Sequence, residues 1–304
     1  MIFDNLDYEE LAADLIQDAF YSNQSYRGKI SRERSYAELV LRKLLDIDPE
    51  KQITIKQSDV LTLIRALPDS GYIIKAIDGI QPDGNNNTHT QFRGEVNEED
   101  YNRVTDSLFD LIAGLFINYF SKYSFGSDNK VMRAFSLLPP IIRYKVLNYL
   151  YVKHPDDVDI IDRLALVIVK NSGKEDAYEW IKNNEEKLKN TIAVSNTYVE
   201  ELKKTIGDIR TDEFVKKQPN MYEVCIDKIN LVANSIERQG VMYKTFEEAL
   251  PYYRKNGILP DDKQEYREFN SIMQFLYLGR KEYNVTKSFD EPRLLINLIQ
   301  LEKK

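Results

Sequence analysis

At 304 residues the chain is long for a single hydrophobic core, so two domains are expected, 1–125 and 129–304. It is 42% hydrophobic and 30% charged, with only 12 glycines and 10 prolines, a balance that favours helices over a turn-rich β-sandwich. The net charge of −7 is uneven: residues 1–126 hold 13 basic against 21 acidic side chains, which argues against a broad phosphate-gripping field there.

Along the chain the apolar residues recur with helical spacing. Residues 6–21 place Tyr8, Leu11, Ala12, Leu15, Ile16, Ala19 and Phe20 on one face. A second helix spans 32–46 and stops near Asp48 and Pro49. Ser58 and Asp59 suit the cap of a short helix through Leu67, broken by residues 68–71, and a further apolar segment runs from Tyr72 to Ile80. A polar Gly/Asn stretch follows. Asn97 then caps a long helix whose first turn carries Glu98, Glu99 and Asp100 and whose stripe is Val104, Leu108, Leu111, Ile112, Leu115, Phe116 and Tyr119. These elements make a helical bundle.

Residues 123–129 read as a linker. Pro139 and Pro140 then open a helix through Tyr151, and residues 155–157 open another that ends at Gly173. Helical patterns continue around Trp180 and over 194–207, 220–238, 245–256, 263–280 and 291–303, with Gly207, Gly240, Pro251 and Gly257 as separators. No repeat near 34 residues emerges, so the second half is expected to be an irregular α-helical interaction domain.

Few residues carry chemistry. The single cysteine, Cys225, lies in an amphipathic pattern and reads as core, and with two distant histidines it excludes an internal disulfide and a Cys/His zinc cluster. The acidic groups at 156–159 and 261–262 precede helices and read as caps. His154 suits a helix C-terminus. Arg32, Arg34 and Arg42 form a stripe in which Arg34 and Glu38, four apart, read as a solvated pair. No phosphate loop, dinucleotide fingerprint or serine-nucleophile elbow occurs, so no cofactor is expected. The sequence has no apolar run of membrane-spanning length, and its first ten residues are acidic where a signal peptide is basic. A cytoplasmic protein without membrane contact is expected.

The remaining candidate is the stretch Gln81, Pro82, Asp83, Gly84, Asn85, Asn86, Asn87, Thr88 and His89. A glycine beside three asparagines favours a tight turn, and histidine is the side chain best matched to proton transfer near neutrality. Gly84 and Asn85 followed by three residues and His89, ahead of a long amphipathic helix, resemble the signature of one branch of the HEPN superfamily. The Arg-rich segment 32–45 with its internal Glu38 is similar to that branch's early helix. The resemblance covers residues 1–122 and implies an all-α bundle, commonly dimeric, with RNA-cutting activity carried by an arginine and a histidine. The family's arginine stands three residues before the glycine, where this chain has Gln81. A replacement cation would have to come from Arg93 or Arg65, beside His89 as the candidate catalytic residue. Gln81, Asn85, Asn87 and Arg65 are the candidate binding residues.

Two functions are therefore expected. The first is a HEPN-like accessory, sensor or scaffold of a bacterial defence, toxin or mobile-element system, binding a protein partner or RNA as a homodimer. The alternative is a metal-independent, dimeric endoribonuclease. A third reading drops the resemblance and leaves a helical adaptor.

Overall fold

A computed structural model describes residues 8–81 and 95–282. The fold is all-α, and among the described residues the sole β pairing is an isolated bridge between Ile192 and Asn220. The chain opens with α1 (Glu9–Ile16), which passes directly into a π-helical turn, Gln17–Tyr21, where a single continuous helix was expected. Leu11, read as inward-facing, is 48% exposed, while Ala12, Leu15, Ile16 and Ala19 are buried.

Helix α2 (Tyr26–Leu45) begins six residues earlier than its periodicity suggested, capped by the Ser25 hydroxyl accepting from Gly28 N at 3.3 Å. It ends at Asp46 in a left-handed conformation, φ 50°. Next come α3 (Ser58–Arg65), which lacks the expected side-chain cap, and α4 (Ser70–Ile80), then α5 (Glu98–Lys122). The α5 start is as read: Asn97 and Asp100 exchange bonds in a capping box, and all seven stripe residues are buried. Helix α5 is the spine, with α2 and α4 packed on it from the N-terminal side and α1 leaning on α2.

After a short α6 (Asn129–Phe135), capped by Asp128 and not foreseen, α7 (Pro140–Lys153) packs along α5. Helix α8 (Val158–Ser172) lies on α7, and its cap is Asp157, as expected, accepting from Asp159 N and Ile160 N. The outer layer is α9 (Lys174–Asn183), α10 (Glu185–Asn190), the pair α11 (Asn196–Ile206) and α12 (Asp208–Val215), and α13 (Met221–Gln239), which returns onto α8.

The last two helices are α14 (Phe246–Asn256) and α15 (Gln264–Tyr277). Pro251, read as a separator, sits inside α14. Asp261 and Asp262 do not cap α15: its N-cap is Lys263 without a side-chain bond, and Asp261 pairs with Arg267 at 3.5 Å. Helix α15 crosses the 123–129 connection to dock on α5. There Phe269 meets Phe116 and Tyr119, Lys122 pairs with Glu268 at 2.5 Å, and Phe275 stacks on Tyr36 of α2. Its terminal turn ends at Gly279 (φ 68°), where a Cβ would lie 2.5 Å from Ala13 N of α1, so a side chain is excluded. One continuous core results. No helix among the described residues is long and apolar enough to cross a membrane.

Candidate functional site

The Gly84–His89 segment, with Asn85, Asn87 and Arg93, lies outside the described residues. Its base is described. Helix α4 delivers the chain to Gln81, whose N–H closes the helix on Ile77 O at 2.9 Å, and Asn97 receives it at the start of α5. The residues that meet this base come from α2.

Glu33 and Arg34 are neighbours in sequence, about 100° apart around the helix, yet both are buried, at 0% and 7% exposure. They face different partners. Arg34 donates from Nε to the carbonyl of Ile80 at 3.3 Å, filling one of the orphan acceptors at the α4 C-terminus and placing a cation at the negative end of that helix. Its Nη2 is buried without a hydrogen-bond partner. Desolvation lowers the guanidinium's affinity for its proton. The expected surface pair with Glu38 is thus replaced: Glu38 feels Arg42 and the Ile55 backbone, Arg32 pairs with Asp18 at 3.0 Å, and Arg42 donates to the carbonyls of Asp48 and Lys51. The basic stripe is dispersed into separate structural tasks.

Glu33 turns toward α5, where the Thr105 hydroxyl donates to its Oε1 and Oε2 is left without a partner. Burial pushes its carboxyl up to about 8, against the opposing effects of Thr105 and Lys29. Near neutrality Glu33 therefore holds its proton. Around it, Lys29 stands 5.4 Å over the Tyr101 ring, Tyr101 packs on Tyr26, and the Tyr101 hydroxyl donates to Ala19 O in the π turn at 3.1 Å. The arrangement is a protonated acid and a buried cation tying α2 to both helices that flank residues 82–94.

Of the other candidates, Gln81 is half-buried at this base and has interaction partners of its own. Arg65 is exposed at the end of α3, where the chain enters α4; the 11 residues of α4 separate it from Gln81 by roughly 16 Å of helix rise. The two are not brought together. Cys225 is fully buried, its thiol pushed up to about 12 by desolvation, and His154 is the exposed C-cap of α7. Glu33 had not been singled out. Its signal was the register of Ile30, Glu33, Ala37 and Leu41, which puts an acid on the apolar stripe.

No protein-family model matches the chain, and no curated protein or solved structure matches it.

Proposed function

We propose that the chain is a non-catalytic, HEPN-like accessory or scaffold protein of a bacterial defence, toxin or mobile-element system. Its N-terminal bundle would serve as a recognition module for a protein partner or RNA, and two copies would pair through it. The observation that carries this reading is the disposition of Arg34. Among the described residues, the cation bonded to the end of α4, Arg34, is buried and engaged with Ile80 O, while the position of the family's arginine is Gln81. A guanidinium so placed holds the loop's root; it does not stabilise a crowded phosphorane in solvent-accessible RNA. The acidic balance of residues 1–126 agrees with this.

The test is incubation of the purified protein with total RNA in EDTA. No cutting is expected from the wild type, and cutting that disappears in His89→Ala would overturn the proposal. One observation favours the endoribonuclease alternative: protonated Glu33 and the unpartnered Arg34 Nη2 put an acid and a cation beside the root of the segment that carries His89. Should RNA be cut, Arg34→Met would separate the readings, since only a catalytic cation would remove cutting while the fold persists.

A further inference from the structure

The first turn of α7 and the last turn of α8 hold two cations, Arg143 and Lys170, that form no ion pair with a carboxylate among the described residues. Arg143, on α7, is 8% exposed, and its buried Nε has no hydrogen-bond partner. The groups acting on its charge are Tyr243 and Tyr277, with no carboxylate among them. Those tyrosines are anchored immediately before α7, the Tyr243 hydroxyl donating to Ser136 O at 2.7 Å and the Tyr277 hydroxyl to Leu137 O at 3.1 Å. Lys170, on α8, is partly covered and feels Arg143 as a like charge. The one acid acting on it is Asp162, which is engaged at 2.8 Å by Lys228 of α13.

A buried arginine and a partly covered lysine of the same sign are costly to hold together, because the arginine loses hydration and the two charges repel. The same chain shows how it treats an arginine with a structural task. Arg280, 9% exposed, donates to Leu276 O at 2.6 Å and to Glu247 at 2.5 Å, and lies 4.2 Å from the Phe246 ring centre. Arg143 has none of this. The fork of a buried guanidinium beside a partly covered lysine ammonium is the donor set that a phosphate dianion recognises.

We propose that Arg143 and Lys170 form a binding site for a small phosphate-bearing anion between α7 and α8, walled by Tyr243 and Tyr277. The depth of Arg143 limits the ligand to a small solute and rules out a nucleic-acid backbone. Lys170 is brought down to about 7 by desolvation and by Arg143, so the bound anion draws a proton onto it at mildly alkaline pH. The site does not depend on the family resemblance, which lies in the other half of the chain.

The experiment is thermal unfolding of the full chain, at constant ionic strength, with inorganic phosphate, with adenosine monophosphate, or with chloride alone. Wild type is expected to gain several degrees, roughly 5 °C, at saturating phosphate or nucleotide and nothing from chloride. Arg143→Met and Lys170→Met are expected to lose that gain. A gain with both solutes identifies free phosphate as sufficient; a gain with the nucleotide alone identifies a phosphate carried on a nucleoside. No gain with either, or an equal gain in both variants, overturns the site. If Arg143→Met does not fold, Lys170→Met decides alone.

Discussion

The root of the 82–94 segment and the α7–α8 junction each bury charge, and they do so with opposite arithmetic. At the root, Glu33 and Arg34 are of opposite sign, the acid is kept neutral by burial, and the arginine is engaged by a helix-terminal carbonyl. At the junction, Arg143 and Lys170 are of the same sign and, among the described residues, no carboxylate answers Arg143. The first arrangement leaves Glu33 Oε2 and Arg34 Nη2 unpartnered but joins α2 to the end of α4 and to α5 through bonds within the protein, which suits a structural hold on those helices. The second, on the proposal above, is completed by an anion from outside. On the proposal above, the recognition chemistry lies in the second half of the chain, where the sequence reading singled out no site.

The comparison assumes that this fold is intolerant of a buried arginine stripped of its partner, and Arg280 tests that most severely. Glu247→Ala leaves Arg280 buried and uncompensated, and the expected loss is about 3–5 kcal/mol in urea unfolding. A loss below about 1 kcal/mol would mean that unpaired arginines are cheap here, and Arg143 would lose its significance.

The next effect belongs to Glu33. Its folded-state value is raised from 4.5 to about 8, so between those limits the folded protein keeps a proton that the unfolded chain releases. Stability from this group is complete below pH 4.5 and is lost as pH rises toward 8, on the order of a few kcal/mol. Glu33→Gln removes that slope. Urea midpoints at pH 5 and pH 8 should converge for the variant relative to wild type; parallel midpoints would show that Glu33 is solvated and not buried against α5. The smallest effect is expected at Lys122, whose pair with Glu268 is half-exposed: Lys122→Ala should cost under about 1 kcal/mol, and a larger loss would make the α5–α15 contact electrostatic where its aromatic packing is held to dominate.

What could be read from sequence divides along physical lines. The α5 stripe, the Asn97–Asp100 box, the Asp157 cap and the Gly173 terminus were legible because periodicity and capping are local. The π turn at Gln17–Tyr21 and Pro251 inside α14 were not, since tertiary packing overrides propensity there. The candidate site was half legible. The motif marked the loop, but Arg34 was read as a surface partner of Glu38, because four-residue charge spacing looks the same on a solvated face and on a buried one. Its real partner, Ile80 O, is 46 residues away. Arg143 likewise lies in register with Val146, Leu147 and Leu150, a signal visible only when a charge on an apolar stripe is taken as a question.

Isothermal titration of inorganic phosphate into Arg34→Met and Arg143→Met, side by side, tests the central claim that anion recognition resides at α7–α8 and not at the loop root. Arg34→Met is expected to bind phosphate as the wild type does, and Arg143→Met to show no binding heat. Retained binding in Arg143→Met with loss in Arg34→Met would contradict the account.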